Sequence, residues 1–204
     1  MRVLITGSKG MVGRNTSESY KAQKHNLLLP DKTELNLLDN KKTFKWLKEK
    51  KPDLIIHCAG RVGGIQYNMA NQEKFLSENT IIGLNLINNA FSTGVKKIIN
   101  LGSSCMYPKE TLNPINTDEI LNGKLEPTNE GYALAKITIE RLCKYYTQKY
   151  SSITYKTIIP CNLYGKYDSF HPELSHMIPG VIRRIHEAKL RKQNKLEIWG
   201  SGNA

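Results

Sequence analysis

A chain of 204 residues, 39% hydrophobic and 24% charged, has the ordinary balance of a globular protein and enough length to bury one sizeable core. Its formal charge of +12 suits anionic ligands, but the lysines are scattered and no nucleic-acid motif or dense basic block occurs, so a nucleic-acid partner is not expected. The apolar stretch after Met1 ends at Gly7, too short for a signal peptide, and no run approaches the roughly 18 apolar residues of a membrane span.

The expectation is a soluble, cytoplasmic chain. Its four cysteines show no Cys-x-x-Cys spacing and no metal-ligand pattern. Cys58, Cys143 and Cys161 sit in or beside apolar runs and are expected as reduced core residues.

Val3 to Thr6 reads as a short buried strand. Gly7-Ser8-Lys9-Gly10-Met11-Val12-Gly13 follows, with a helix opening near Met11. Glycines spaced this way after a strand resemble the dinucleotide fingerprint, whose backbone faces a pyrophosphate at a helix N-terminus. The helix to Lys24 is very polar, and only Val12, Tyr20 and Ala22 are candidates to face a sheet.

Leu27 to Leu29 is the second strand, and cofactor choice is set just after it. Asp31 suits the ribose of NAD, whereas Lys9 and Lys32 suit the extra phosphate of NADP; the two lysines favour NADP. A helix over Thr43 to Lys51 stops at Pro52. Leu54 to Gly60 is a third strand with a small-residue end, and Arg61 to Ile65 a glycine-hinged loop. Asn71 to Phe91 is a long helix and Lys97 to Leu101 the fourth strand. Lys109 to Asn129 is a long polar loop, of the kind that is usually functional. Gly131 to Tyr150 is a helix, and Thr154 to Ile159 a fifth strand closed by Pro160. Strand and helix alternate throughout, which predicts an α/β fold: a doubly wound parallel sheet of the Rossmann type.

One constellation carries chemistry. Tyr132 and Lys136, four apart, share a helix face, and Ser103 ends the fourth strand. A neighbouring ammonium is expected to favour the phenolate, drawing Tyr132 below its ordinary pKa of about 10 and making it a proton donor near neutrality. The spacing alone is weak, since Tyr20/Lys24 and Tyr145/Lys149 share it. Together with the glycine loop and Ser103-Ser104, it resembles the extended, sugar-nucleotide-modifying branch of the short-chain dehydrogenase/reductase superfamily.

Further segments narrow the resemblance: Val62-Gly63-Gly64-Ile65, Ser103 to Pro108, Pro160 to Gly165, Asp168 to Pro172, Ser175 to Pro179 and Ile198 to Gly202. Across essentially the whole chain these resemble the GDP-L-fucose synthase family, the GDP-4-keto-6-deoxy-D-mannose 3,5-epimerase/4-reductases. The resemblance implies NADP as cofactor and a GDP-sugar as substrate. Tyr132 would protonate the C4 oxygen, Lys136 would tune it and hold the nicotinamide ribose, and Ser103 would orient the ketone. Cys105 and His176 match the epimerising acid/base pair. Cofactor contacts fall on Gly7, Ser8, Lys9, Gly10, Met11, Val12, Gly13, Lys32, Asn36, Leu37, Leu101, Gly102, Ser103, Ser104, Lys136, Pro160, Cys161, Asn162, Leu163 and His176. Arg184 and Trp199 match substrate contacts, and Arg183 is an equal candidate by chemistry.

Residues 1–165 would form the cofactor domain and 166–204 an incomplete smaller substrate domain, since the family extends well past the position of Ala204. The chain is accordingly expected to be truncated at its C-terminus. The resemblance also implies a homodimer built on the two long helices. Gly131 departs from the proline that relatives often carry. A different epimerase, dehydratase or reductase of this fold, or a non-catalytic dinucleotide-binding protein, stands as the alternative.

Overall fold

The computed structural model describes residues 1–21, 25–172 and 174–196. In chain order the elements are β1 (Arg2–Thr6), α1 (Met11–Lys21), β2 (Asn26–Leu28), α2 (Asn40–Lys50), β3 (Leu54–His57), α3 (Ile65–Met69), α4 (Gln72–Ser92), β4 (Lys97–Leu101), α5 (Glu130–Lys149), β5 (Thr154–Ile158) and α6 (Met177–Leu190). The five strands form one parallel sheet in the order β2-β1-β3-β4-β5. The order reverses between β1 and β3, and open α/β sheets bind ligands in the crevice beyond the strand ends at such a point.

Alternation along β1 sends Leu4 to one face and Val3 and Ile5 to the other. Leu4 joins Ile55, Ile98, Leu47, Leu86 and Ile87 in the main core, beneath α2, α4 and α5. Val3 and Ile5 pack with Ile56 on the opposite face. Asp39 caps α2 by accepting from the Lys42 amide at 3.0 Å, which starts that helix three residues before the predicted Thr43.

Gly13 and Ser17 are the buried residues of α1; of its three predicted sheet-facing residues Val12 is half-buried, and the Tyr20 and Ala22 side chains lie outside the described ones. The polar stripe of α1 has other work. Glu18 accepts from Tyr167 and Lys166, Asn15 Nδ2 donates to the Lys166 carbonyl at 2.9 Å, and the Arg14 guanidinium sits 3.8 Å over the Tyr167 ring. One expectation is corrected: Cys161 is exposed rather than a core residue, whereas Cys143 is buried and Cys58 half-buried. The loop expected over 109–129 is present; it holds 3₁₀ turns at Thr117–Glu119 and Pro127–Asn129, and it tucks Ile120 and Leu125 against Met106, Ala133 and Ile137. No described helix is long and apolar enough to cross a membrane.

Candidate active site

The glycine loop leaves β1 at the switch point. Gly7 has φ +66°, and a Cβ there would lie 2.8 Å from the Ala59 amide nitrogen, so only glycine fits between β1 and the end of β3. The Gly10 amide closes the turn onto the Gly7 carbonyl at 2.9 Å, and Ser8 Oγ donates to the Pro30 carbonyl at 3.1 Å, pinning the loop to the end of β2. None of the described hydrogen bonds uses the amides of Met11, Val12 or Gly13, the free first-turn donors that suit a phosphate.

Beyond β2, Lys32 is exposed, as is Lys9. Asp31 is turned into its own backbone: Oδ1 accepts from Thr33 Oγ1 at 2.6 Å and from the amides of Thr33 and Glu34. These bonds, the Thr33 hydroxyl foremost, hold its carboxyl below the usual range. Asn36 Oδ1 likewise serves the Leu38 amide, and Leu37 is a core residue whose carbonyl takes the Asn85 side-chain amide. Leu37 therefore has only backbone atoms to offer a ligand.

The chemistry-bearing residues gather where β4 ends. Cys105 Sγ donates to Ser103 Oγ at 3.2 Å. Lys136 Nζ donates to the Leu101 carbonyl at 2.7 Å and stands 5.6 Å from the Tyr132 ring centroid. Gly102 is tied to β5 through the Ile158 carbonyl, and Ser104 is exposed. Phe75, fully buried, sets its edge against Tyr132 with centroids 6.1 Å apart and planes at 88°.

Burial reverses the electrostatic expectation. The Lys136 charge was expected to pull the phenol down; instead desolvation dominates and pushes Tyr132 up, with Cys105 adding to the rise. The same desolvation lowers Lys136 to about 8, offset in part by Cys105 and Cys58. Burial also raises the Cys105 thiol, against the pull of the Ser103 hydrogen bond. At neutral pH the unliganded corner thus holds a neutral phenol, a neutral thiol and an ammonium.

His57, the last residue of β3, was not singled out in the sequence. Thr6 Oγ1 accepts from the Ala59 amide at 3.2 Å and is hydrogen-bonded to His57 Nδ1 at 2.8 Å. Burial, then Lys136, depresses His57 to about 3, so it stays neutral beside the ammonium. Its only sequence signal is a histidine closing an apolar strand.

The remaining predicted residues lie on the C-terminal side. Pro160 is half-buried, and Cys161, Asn162 and Leu163 are exposed just past β5. His176 is exposed at the N-cap of α6, and none of the described hydrogen bonds or ion pairs joins its imidazole to the other four catalytic candidates. Its segment is held to the loop after β3 by the Gly64 amide, which donates to the Leu174 carbonyl at 3.1 Å. Arg183 is committed: it donates to Glu187 at 2.6 Å and to the Phe170 carbonyl at 2.7 Å. Arg184 is half-buried on the same helix, and Trp199 lies outside the described residues. Among the described residues no group of side chains could hold a metal ion.

Comparison with known proteins gives this geometry a context. The chain is 50% identical over its whole length to a GDP-L-colitose synthase of Yersinia pseudotuberculosis, of which it spans 66%. It is 40% identical over 203 residues to a GDP-L-fucose synthase of Azorhizobium caulinodans, spanning 65% of that protein. The chain thus spans just under two thirds of the length of these relatives. A crystal structure of a GDP-L-fucose synthetase from Naegleria fowleri bound to NADP superposes with a TM-score of 0.88 at 27% identity, over 98% of this chain and 66% of that one. The sequence profile of the NAD dependent epimerase/dehydratase family matches residues 3–204. A parallel sheet, a glycine loop at its switch point and a half-buried tyrosine–lysine pair accord with that match, and the chain belongs to the NAD dependent epimerase/dehydratase family.

Proposed function

We propose that this chain carries the cofactor and catalytic half of an NADP-dependent 3,5-epimerase/4-reductase that converts GDP-4-keto-6-deoxy-D-mannose to GDP-L-fucose. The observation that carries the reading is the meeting of Ser103, Cys105, Tyr132 and Lys136 in one desolvated corner at the end of β4. Residues 1–165 form the cofactor domain, and 166–204 begin the part that holds the GDP-sugar, with Arg184 and Trp199 on the nucleotide sugar. The homodimer is assigned to the outer faces of α4 and α5, and the setting is the cytoplasm.

NADP is favoured over NAD by the turn after β2. Asp31 spends its Oδ1 on Thr33 and Glu34, leaving Lys9 and Lys32 as the exposed charges for a 2′-phosphate. NADPH, held by the glycine loop with Lys9 and Lys32 at its 2′-phosphate, would supply the hydride for C4. Ser103 Oγ orients the C4 oxygen, and Tyr132 gives it a proton. A phenol held neutral by burial is in its donor form, and the Lys136 ammonium stabilises the phenolate left behind. Before reduction, the C4 ketone acidifies the protons at C3 and C5. Cys105 and His176 exchange these protons on opposite faces, which requires the His176 segment to close toward β4.

One observation favours a second reading. Identity is 50% to a protein named GDP-L-colitose synthase against 40% to one named GDP-L-fucose synthase. L-colitose lacks the 3-hydroxyl of L-fucose, so its formation needs inversion at C5 alone.

Incubating the protein with NADPH and either 4-keto sugar nucleotide, followed by NMR of the product, tests both. GDP-L-fucose with matching NADPH loss supports the first reading. Turnover confined to the 3-deoxy ketone replaces it with the second, and absence of NADPH oxidation with both ketones overturns the enzyme assignment.

A further inference from the structure

We infer that Gln72, at the start of α4, is a positioning residue for Tyr132; the inference rests on the assignment of Tyr132 as proton donor. The first turn of α5 presents amides with no partner inside the helix, and the N-cap side chain ordinarily takes one of them. Here Asn129 occupies the N-cap and makes no capping bond; its Oδ1 is buried without a partner. The acceptor comes instead from 59 positions away. The Gly131 amide donates to Gln72 Oε1 at 2.8 Å, and Gln72 Nε2 donates to the Pro127 carbonyl at 2.7 Å. One side chain thereby joins the turn that ends the long loop to the turn that begins the catalytic helix.

This contact explains the glycine before Tyr132. A Cβ on residue 131 would lie 2.5 Å from the Gln72 carbonyl oxygen, so no side chain fits. Proline is excluded twice, by that space and because the amide is in use. Three residues further along α4, on the same face, Phe75 backs the Tyr132 ring edge-on. A single stripe of α4 therefore holds the backbone at 131 through Gln72 and the phenol at 132 through Phe75. Tyr132 is covalently next to the gripped amide, so a displacement of the helix start is carried directly to the hydroxyl that must meet the C4 oxygen. Catalytic geometry is sensitive to shifts of this kind.

The test pairs Gln72→Met, which keeps the shape and removes both hydrogen bonds, with Gln72→Glu, which keeps an acceptor for the Gly131 amide. Two readouts are taken on the NADP-saturated protein: amide hydrogen exchange over residues 129–134, and kcat and KM with the 4-keto sugar nucleotide. The expected result for Gln72→Met is five- to tenfold faster exchange confined to that segment, about the effect of losing one helix cap. Its kcat falls by a similar factor while KM stays within about twofold. Gln72→Glu restores most of both. Exchange and kcat of Gln72→Met equal to wild type, or exchange quickened uniformly over the whole molecule, overturns the inference. If the wild-type protein turns over no ketone, the functional reading falls, and the exchange data alone decide whether Gln72 holds the start of α5.

Discussion

Two parts of the molecule meet beyond the sheet, and they are built on different terms. The corner at the ends of β3 and β4 is dry: His57 and Phe75 are buried, and desolvation moves Tyr132 up and Lys136 down. The segment from Cys161 through α6 is wet, with Leu163, Tyr164, Phe170, Met177, Ile182 and Ile185 all exposed. The corner is held by strand hydrogen bonds and by helices that belong to the main core. The segment is held by surface contacts: the grip of α1 on Lys166 and Tyr167, Gly64 on Leu174, and Arg183 on Glu187 and Phe170. Proton chemistry calls for fixed groups in low dielectric, and the corner supplies them. A bulky sugar nucleotide calls for a surface that can adjust, and the His176 segment lies on the adjustable side.

The sharpest way to break the contrast is to remove the proposed proton donor, Tyr132, from the dry corner. Tyr132→Phe is expected to lower NADPH oxidation by 100- to 10,000-fold, the range for loss of a general acid. Cofactor affinity, measured by fluorescence titration, should hardly move, since the proposed pyrophosphate contacts are made by the glycine loop and not by the phenol. A parallel loss of cofactor binding would contradict the separation.

Lys136 offers a test through stability. Its folded pKa of about 8 lies below the ordinary 10.5, so the unfolded chain binds the extra proton between those values and wild-type stability rises as pH climbs through that window. Below it the buried charge costs roughly 3 kcal/mol, less the value of its bond to Leu101. Lys136→Met should therefore be inactive yet more stable than wild type at pH 7 by urea denaturation. The advantage should shrink toward pH 10.5. A variant less stable at every pH would show that the ammonium is well solvated. Smaller still, Gly7→Ala forces a side chain into φ +66° against Ala59 and should cost about 1–3 kcal/mol, with weaker NADPH binding.

Much of this was legible along the chain because the strands are short apolar runs closed by Gly, Pro or Ser, such as Ile98 to Gly102. The glycine loop and the Tyr132/Lys136 spacing were legible for the same local reason. Contacts between distant positions were not. The direction of the Tyr132 shift depends on burial, with Phe75 against the ring, and on Cys105, whereas the sequence displays only the lysine four residues on. Ile120 and Leu125, five apart in a polar loop, match neither helical nor strand periodicity, so their burial with Met106 left no trace. α3 spans five residues in a glycine-hinged stretch, too few to register a period. The polar face of α1 looked like a packing defect because its partner, Tyr167, lies about 150 positions away.

In the proposed function one corner serves a single ketone in two chemically separate ways. NMR of deuterium uptake from D2O at C3 and C5, with NADPH oxidation followed in the same tube, separates them for Tyr132→Phe and Cys105→Ser. The prediction is that Tyr132→Phe exchanges deuterium without oxidising NADPH, and that Cys105→Ser loses exchange by about 100-fold. Full exchange in Cys105→Ser, or none in Tyr132→Phe, would contradict it.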